Sequence, residues 1–288
     1  MPLPLHILVT GANGQLGMEF REQAASYDGI QWYFAGKDEL SIINKAGLAD
    51  FCSLYPLDYI INCAAYTAVD QAELEKDLAF AINAEGPGVL AEVCADQGIR
   101  LVHISTDYVF DGESDIPYRE SDPTAPQNAY GASKLQGERR IEQVTSEAII
   151  IRTSWVFGKY GKNFVKTMIR LMHERESISV VNDQQGSPTY AADLASTILH
   201  IITHVKDPKP GIYHYCNEGS TNWYAFASAI KELTGSRCRI EPIPTSAYPT
   251  PAKRPSFSLL DNSLIKKTFR IKIPHWKDSL AACLSRLD

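Results

Sequence analysis

The sequence predicts an α/β protein with a doubly wound parallel sheet and a smaller C-terminal α/β domain. Short apolar runs alternate with amphipathic helical patterns through the first half, and most of these runs lack strict polar–apolar alternation. Such runs are typical of strands buried on both faces of a parallel sheet, and strand–helix repetition gives right-handed βαβ units. At 288 residues the chain exceeds the usual size of one domain, which leaves room for a second.

The pattern places each element in turn. Strands are predicted at 5–10, 31–35, 59–63, 101–105 and 148–152, and helices at 15–26, 46–54, 73–97 and 130–144. In the second half we expect helices at 163–174, 192–204 and 222–233, and strands at 178–181 and 212–216. Five prolines between 242 and 255 predict a loop over 241–256, and its length favours a functional segment.

Charge and cysteine content limit the partners. The formal net charge of −6 argues against nucleic acid or an acidic membrane as main partner, because both require a basic surface. The six cysteines form no Cys-x-x-Cys pair and none lies at zinc-site spacing from a histidine, so we expect reduced thiols and no metal site. Without a secretory signal pattern or an apolar run of about 18 residues, the chain is expected to be cytoplasmic.

A glycine-rich turn follows the first predicted strand. Three glycines give a Gly-x-x-Gly-x-x-Gly spacing between that strand and a helix. Glycines in this position let the backbone approach a pyrophosphate, and the N–H groups at the start of the helix point at the anion. The context predicts a dinucleotide site made of Gly11, Asn13, Gly14, Gln15, Leu16 and Gly17.

The end of the second strand discriminates between cofactors. An acidic side chain there binds the ribose 2′-hydroxyl of NAD, whereas a cation suits the 2′-phosphate of NADP. Gly36 stands where NAD enzymes of this type often have Asp, and Lys37 follows it. We therefore expect NADPH, with NADH as the alternative because Asp38 lies one residue further on.

Tyr130 and Lys134 form a Tyr-x-x-x-Lys pair at the start of a predicted helix, on one helical face. A neighbouring cation favours the phenolate and tunes a tyrosine toward acid/base work. Ser105 and Thr106 follow the fourth strand, where a doubly wound sheet gathers its active site, and a hydroxyl there can bind a substrate carbonyl. With a dinucleotide these residues predict a hydride-transfer site.

Further runs extend the pattern over nearly the whole chain: 9–17, 62–70, 82–84, 105–112, 130–134, 152–157 and 183–189. The most specific are Ser-Thr-Asp-Tyr-Val-Phe-Asp-Gly at 105–112 and Arg-Thr-Ser-Trp-Val-Phe at 152–157. In these runs the chain resembles the extended short-chain dehydrogenase/reductase superfamily, and within it the dTDP-4-dehydrorhamnose reductases. We expect an NADP-binding Rossmann domain over 1–155 and 190–217, and a sugar-nucleotide substrate domain over 156–189 and 218–288.

The resemblance also assigns residues. It implies Thr106, Tyr130 and Lys134 as the catalytic triad. The cofactor side would add Lys37, Cys63, Ala64, Ala65, Tyr66 and Ser105. The substrate side would include Thr106, Tyr108, Trp155, Asn163 and Arg254. Purely structural roles stay open for several of these residues: Trp155 could belong to the core, Asn163 could cap a helix, and Arg254 could be a solvated surface cation. His103 is interpreted as a core histidine.

The chain departs from the family pattern in two places. Members often have Asp-Arg where this chain has Gly36-Lys37, which leaves the cofactor preference open. They also often have Leu-Asp-Ile where it has Leu40-Ser41-Ile42, a change expected to cost a local turn contact.

The implied reaction is NADPH-dependent reduction of the C4 keto group of dTDP-4-dehydro-L-rhamnose to dTDP-L-rhamnose, with the proton from Tyr130. A 4,6-dehydratase or 4-epimerase of the same superfamily is a rival, although dehydratases carry Thr-Asp-Glu and here Tyr108 follows Thr106-Asp107. A non-catalytic, NADP-binding regulatory subunit is a second rival, since fold does not determine function. A small-molecule nucleotide sugar is the expected partner, with no nucleic acid or membrane, and a homodimer stays open.

Overall fold

The structure is a computed structural model that describes residues 4–287. Its strands are β1 Leu5–Thr10, β2 Ile30–Ala35, β3 Tyr59–Asn62, β4 Arg100–Thr106, β5 Ile149–Thr153, β6 Val156–Phe157, β7 Ser177–Val181, β8 Gln185–Gly186, β9 Thr189–Tyr190, β10 Gly211–His214, β11 Thr221–Asn222 and β12 Arg239–Ile243. Its helices are α1 Gln15–Gln23, α2 Lys45–Leu54, α3 Lys76–Phe80, α4 Gly86–Gln97, α5 Ala129–Val144, α6 Phe164–Glu174, α7 Ala191–His204, α8 Trp223–Thr234, α9 Ser263–Phe269 and α10 Trp276–Leu284.

Six strands form one parallel sheet in the order β10-β5-β4-β3-β1-β2. All residues of β3 and β5 are buried, which explains why these runs are continuously apolar in sequence. The strand order reverses at β1, because β2 lies on one side of it and β3 on the other. The carboxyl ends of β1 and β3 therefore border the crevice in which doubly wound sheets bind ligands, and the predicted fold class is confirmed.

Helices cover both faces of this sheet. On one face α1, α7 and α9 pack against a core that includes Ile7, Val9 and Ile151. On the other face α2, α4 and α5 pack against a core that includes Leu8 and Ile60. Alternate residues of β1 thus enter opposite cores, as the period of a strand requires.

A separate core lies outside the sheet. Buried side chains of α6, α8 and α10 pack there with β7 and with Phe157 and Tyr190. The division of the chain into two domains stays a prediction, with one difference inside the predicted substrate segment. Residues 263–273 pack on the sheet core through Ile265, Phe269 and Ile273. The ring of Phe269 contacts that of Tyr213 on β10 in a tilted arrangement, at 4.8 Å between centroids.

The predicted loop over 241–256 is wrong at its start. Residues 239–243 form β12, which pairs in parallel with β7 and places Pro242 opposite Val180. Proline removes a hydrogen-bond donor, but in a two-stranded sheet both strands are edges, where proline is tolerated.

The predicted helix over 73–97 is interrupted. A 3₁₀ turn at 71–73 precedes α3, and a π turn at 81–85 separates α3 from α4. Pro87 has no N–H to donate to the carbonyl of Asn83, so the regular helical ladder cannot continue through this point. The carbonyl of Asn83 instead lies against Gly137 of α5, 2.1 Å from where a Cβ would stand.

The run Lys76–Gln97 is long and apolar enough to cross a membrane by length and composition, with a mean hydropathy of 1.2. Charged residues at 76, 77, 85, 92 and 96 interrupt this helix, so the expectation that no apolar run of about 18 residues exists is not contradicted. Of this window 56% is buried inside the protein, as in the core helix of a soluble protein. Within residues 4–287 it is the one helix that meets these criteria.

Candidate active site

The turn between β1 and α1 has the backbone geometry of an anion cradle. Gly11 has a φ of 63°, and a Cβ there would lie 2.5 Å from the amide nitrogen of Ala64. A Cβ on Gly17 would lie 2.5 Å from the Gly11 carbonyl oxygen. The helix begins after Gly14, and in the described part of the chain no side chain caps its first turn. Its free N–H groups and the bare backbone fit a dinucleotide pyrophosphate.

The end of β2 packs closely against the side chain of Asn13, where NAD enzymes of this type have an acidic residue. A Cβ on the buried Gly36 would lie 2.3 Å from Nδ2 of Asn13, so Asn13 would have to move to admit any side chain. The nearby carboxylate of Glu39 accepts a hydrogen bond from the Gly36 N–H at 2.6 Å. Lys37 and Asp38 are exposed beside this turn. Asn13 and Gly36 therefore form one close contact at the predicted adenosine end.

Two of the predicted binding residues, Gln15 and Asn163, form a hydrogen bond with each other. Nε2 of Gln15 donates to the Val156 carbonyl at 3.1 Å, and its Oε1 accepts from Nδ2 of Asn163 at 2.7 Å. Asn163 also caps α6, because its Oδ1 accepts from the Lys166 N–H at 3.1 Å. The polar atoms of Asn163 hold α6 to the glycine-rich turn, in line with the capping alternative, and its predicted substrate contact stays a prediction. Gln15 is left with its backbone N–H for a phosphate.

The start of α5 carries the tyrosine–lysine pair. Asn128 caps the helix by accepting from the Gly131 N–H at 2.8 Å, which places Tyr130 in the first turn and Lys134 one turn later. Burial raises the pKa of Tyr130 to about 12, against a lowering hydrogen bond from Thr106. The phenol is therefore protonated at neutral pH, as a proton donor must be.

Lys134 is almost fully enclosed, with 2% of its surface exposed. Its Nζ donates to the carbonyl of Ile104 at 2.5 Å and lies 3.2 Å from Nε2 of His103. Burial lowers the pKa of Lys134 to about 8, while the charges of Glu138 and Cys63 act in the opposite direction. His103 was interpreted as a core histidine, and it is fully buried, but its contact with Lys134 brings it into the site.

Two hydroxyls at the end of β4 differ in what they face. Ser105 donates to the carboxylate of Glu138, which also forms a buried ion pair with Arg152, so the Ser105 hydroxyl is occupied within the core. Thr106 donates to Asp107 at 3.0 Å and lies within hydrogen-bond reach of Tyr130. Burial raises the pKa of Asp107 to about 7. Of the two hydroxyls, that of Thr106 stands beside the phenol.

The segment after β3 lies between the glycine-rich turn and α5. Ala64 contacts Gly11, and the Cys63 thiol is buried near Lys134, with its pKa raised by burial. The phenol of Tyr66 donates to Glu75 at 2.7 Å, while its backbone N–H donates to Asn83 at 2.8 Å. The predicted cofactor residues of this segment thus lie between the glycine-rich turn and α5, the two parts of the candidate site.

A cavity of about 440 Å³ opens beside Tyr108, whose ring lies edge-on to Tyr130 at 5.6 Å between centroids. Arg254 lines it and pairs with Asp70 at 2.7 Å. Trp223 lines its far end and stacks on Trp155 at 3.6 Å between centroids. Two wider grooves, of about 820 and 1040 Å³, lie elsewhere on the surface, and neither Tyr130 nor Lys134 lines any of these three cavities.

Sequence reasoning missed Asp70, Asn62 and the Glu138–Arg152 pair. Asp70 and Asn62 lie in the run 62–70 that carried part of the resemblance, which was the one available signal. Trp155 was expected at a strand end, but it has a φ of 48° in the connection between β5 and β6. Such a backbone is rare for a bulky residue, so the surrounding structure must hold Trp155 in a strained conformation.

A glycine-rich turn lies where the strand order of the parallel sheet reverses, and a buried Tyr/Lys pair lies beside the same crevice. Together these features define a Rossmann-type short-chain dehydrogenase/reductase. The family model described as "RmlD substrate binding domain" matches residues 5–288, so the chain belongs to this family.

Its relatives are consistent with that assignment. The chain is 41% identical to a dTDP-4-dehydrorhamnose reductase of Burkholderia thailandensis, covering 98% of this chain and 99% of that protein. A solved dTDP-4-dehydrorhamnose reductase of Clostridium acetobutylicum superposes with a TM-score of 0.94 at 40% identity, covering 98% and 99%. The Bacillus anthracis enzyme, solved in complex with NADP, gives 0.93 at 41% identity, covering 99% and 100%.

Proposed function

We propose that this protein reduces the C4 keto group of dTDP-4-dehydro-L-rhamnose to dTDP-L-rhamnose with NADPH. The observation that carries the proposal is the Tyr130–Thr106–Lys134 arrangement at the crevice, in a chain 40–41% identical to named reductases over nearly its full length. NADP bound to the Bacillus anthracis relative supports the cofactor. NADH remains the secondary cofactor of this proposal.

The residues divide the work as follows. The bound nicotinamide supplies a hydride to the substrate carbonyl carbon. Tyr130 donates its phenolic proton to the oxygen of that carbonyl, and Thr106 gives the same oxygen a second hydrogen bond as charge develops on it. Lys134 holds the ribose next to the reacting ring. The raised pKa of Tyr130 supports the acid role, because the proton is still present at neutral pH.

The cavity supplies the substrate side of the proposal. Arg254 presents a guanidinium to it, and such a fork suits the oxygens of a diphosphate. Tyr108 lies between this cation and Tyr130, so a diphosphate at Arg254 would leave the sugar near the phenol. The stacked rings of Trp155 and Trp223 border the site on the side formed by the second half of the chain. Asn163 has no part in this assignment.

Each rival reaction requires a carboxylate side chain at a position where this chain has none. A dehydratase of this superfamily needs a glutamate after Thr106-Asp107, and Tyr108 stands there with burial raising its pKa. An epimerase of the usual kind has a carboxylate at position 36, and this chain has Gly36 there. We therefore favour the reductase over both, and over a regulatory subunit, which would have no use for a buried acid.

An absorbance assay tests the proposal. Purified protein with dTDP-4-dehydro-L-rhamnose should consume NADPH, with one sugar reduced for each NADPH oxidised. NADPH loss that requires a different nucleotide or sugar would change the substrate assignment. Release of water from dTDP-glucose, or inversion of a sugar without net NADPH loss, would contradict the reductase, and binding of NADPH without any turnover would favour a regulatory subunit.

Location and partners belong to the same proposal. A nucleotide sugar is the small-molecule partner, and the protein acts in the cytoplasm. All six cysteines are free thiols, which suits a reducing compartment. Gel filtration would test the homodimer that the sequence left open.

A further inference from the structure

Glu39 lies in the turn that follows β2, at the predicted adenosine end of the dinucleotide site. The carbonyl of Gly36 accepts hydrogen bonds from the Glu39 N–H at 3.2 Å and from the Leu40 N–H at 2.9 Å. Leu40 is buried, which anchors the turn on the protein. The backbone therefore reverses after Gly36 and brings the Glu39 side chain back to the end of the strand.

The carboxylate of Glu39 lies on the cofactor side of that strand. Its Oε2 accepts from the Gly36 N–H at 2.6 Å and lies 3.4 Å from the point where a Cβ on Gly36 would stand. Nδ2 of Asn13, in the glycine-rich turn, lies 2.3 Å from the same point. The Ala12 N–H of that turn also donates to the Ala35 carbonyl at 3.1 Å, so the glycine-rich turn and the end of β2 are joined.

This position is the one from which NAD enzymes recognise their cofactor. An acidic side chain at the end of the second strand binds the 2′-hydroxyl of the adenosine ribose. Gly36 has no side chain, but Glu39 places a carboxylate next to the point from which one would project. The Gly36 N–H binds Oε2, whereas Oε1 forms no hydrogen bond with any residue in the described range 4–287. One carboxylate oxygen is thus left to accept from a ribose hydroxyl.

We propose that Glu39 is a specificity-determining residue for the cofactor: its carboxylate binds the ribose 2′-hydroxyl of NADH and opposes the 2′-phosphate of NADPH. Lys37 lies two residues earlier in the same turn and acts in the opposite direction, because its ammonium attracts the phosphate. The inference deepens the proposed function and rests on its dinucleotide site. It accounts for NADH as the secondary cofactor of a protein that uses NADPH.

The exposure of Glu39 allows both cofactors to bind. Its side chain lies at the surface, on a turn rather than within the sheet. When a 2′-phosphate is bound, like charges repel and the carboxylate can rotate into solvent, at the cost of its hydrogen bond to Gly36. A carboxylate carried by the buried position 36 itself would have no such freedom. Glu39 therefore weakens NADPH binding without excluding it.

A purely structural role for Glu39 predicts a different outcome. The hydrogen bond from the Gly36 N–H to a glutamate three residues later has the pattern of a capping box. Glutamine serves that pattern as well as glutamate, because its amide oxygen also accepts from an N–H. Glu39→Gln thus keeps the turn, removes the charge and places an amide donor where Oε1 stood. If the role is structural alone, the variant should bind both cofactors as the wild type does.

Calorimetric titration with ADP-ribose and 2′-phospho-ADP-ribose tests the adenosine end by itself. In Glu39→Gln the Kd for ADP-ribose should rise and the Kd for the phosphorylated compound should fall. Their ratio should change by about tenfold or more, which corresponds to one hydrogen bond to a charged group. Asp38→Asn is the matched control, because it removes the same charge one residue away from a side chain that is also exposed. It should leave the ratio nearly unchanged, since exposed charges that make no direct contact are screened.

The 2′-hydroxyl itself provides a second measurement. Wild-type protein should bind 2′-deoxy-ADP-ribose about tenfold more weakly than ADP-ribose. That difference should become several times smaller in Glu39→Gln and stay at its full size in Asp38→Asn. If Glu39→Gln does not fold, Glu39→Asp replaces it, because it keeps the charge and withdraws the carboxylate by one methylene group. It should also reduce the difference.

Two results overturn the inference: a ratio that responds equally to Glu39→Gln and Asp38→Asn or to neither, and a wild-type protein that binds the 2′-deoxy compound as tightly as ADP-ribose. The proposed function fails separately. Protein that binds these compounds as expected but reduces no keto-sugar would contradict the proposed function alone. Protein that reduces the keto-sugar while its cofactor ratio is insensitive to Glu39 would contradict the role of Glu39 alone.

Discussion

Tyr130 and Lys134 lie one helical turn apart, and burial moves their pKa values in opposite directions, to about 12 and about 8. The lysine therefore loses its proton before the tyrosine does as pH rises. The Tyr-x-x-x-Lys spacing predicted the pair, but not this order, because the order depends on tertiary enclosure. The contact with His103 was equally hidden, since it joins β4 to α5 across about thirty residues of sequence.

Tyr130→Phe tests the proposed proton donor. The change removes one oxygen, so the fold and the cofactor site should survive, while kcat should fall by about 10²–10⁴-fold, the usual contribution of a positioned acid. Steady-state kinetics and NADPH titration measure the two effects separately. Lys134→Ala should weaken both kcat and NADPH binding.

Tyr213→Phe is the matched control, because that phenol is buried on β10 and donates to the Lys209 carbonyl outside the site. It should keep nearly full turnover. If Tyr130→Phe kept more than about a tenth of wild-type turnover, well short of an acid's usual contribution, the proton would have to come from Tyr108 or water.

Lys37→Ala tests the cofactor preference. Lys37 is exposed beside Gly36, which carries no carboxylate, so its ammonium can reach a 2′-phosphate. Loss of a charge-assisted contact of roughly 1.5–3 kcal/mol should raise KM for NADPH about tenfold or more, with little change for NADH. Asp38→Asn is the control and should leave the ratio of the two KM values unchanged. Equal losses for both cofactors would show that another residue reads the phosphate.

At the scale of elements, sequence periodicity predicted the strands of the sheet to within one or two residues, because they are short, mainly apolar runs, and β3 and β5 are buried on both faces. It failed where a backbone contact decides the outcome. The break in the predicted 73–97 helix comes from Pro87 and from the fit of Asn83 against α5. The strand at 239–243 was missed because prolines were given the weight of loop signals, although Pro242 lies on an edge.

Gly137→Ala tests the contact between the π turn and α5. Alanine favours a helix, but its Cβ would lie 2.1 Å from the Asn83 carbonyl oxygen, which is backbone and cannot easily move. We expect the free energy of unfolding to fall by about 1–3 kcal/mol, as in overpacked cores. Gly29→Ala is the control, since a Cβ there meets nothing within 4 Å. Equal stability of the two variants in denaturant unfolding would contradict the tight packing.

At the scale of the whole molecule, the doubly wound parallel sheet and the dinucleotide site were predicted from the βαβ pattern and the glycine-rich turn, whereas the path of the last fifty residues was not. Helices α9 and α10 were not predicted. Their packing is tertiary: α9 joins the sheet core, and α10 joins the separate core of α6 and α8. The C-terminal end then returns to the first helix, where Arg286 pairs with Glu19 and Glu22 of α1.

The substitution Arg286→Gln tests this contact between the C-terminal end of the chain and α1. Glu19 is fully buried on α1, one turn beyond the glycine-rich turn, and Nη2 of Arg286 donates to its Oε2 at 3.0 Å. Removing one partner of a buried pair leaves an uncompensated charge and costs about 3–5 kcal/mol. Because the Arg286 side chain is 28% exposed, we expect roughly half of that loss of unfolding free energy near neutral pH.

The pH dependence of that loss identifies its cause. Burial raises the pKa of Glu19 in the folded protein above 4.5, and Arg286 partly opposes this rise, so the variant should raise it further. Below the folded pKa of the wild type, Glu19 is protonated in both proteins and the loss is small. As pH rises through that value toward the higher pKa of the variant, the folded variant retains a proton that the wild type has released, and the stability difference grows. Denaturant unfolding at a series of pH values should show this growth. It should be much smaller between Glu19→Gln and the Glu19→Gln/Arg286→Gln double variant, where only Glu22 still responds to Arg286. A loss that is equal at every pH would assign the contribution of Arg286 to its packing on Tyr190 instead.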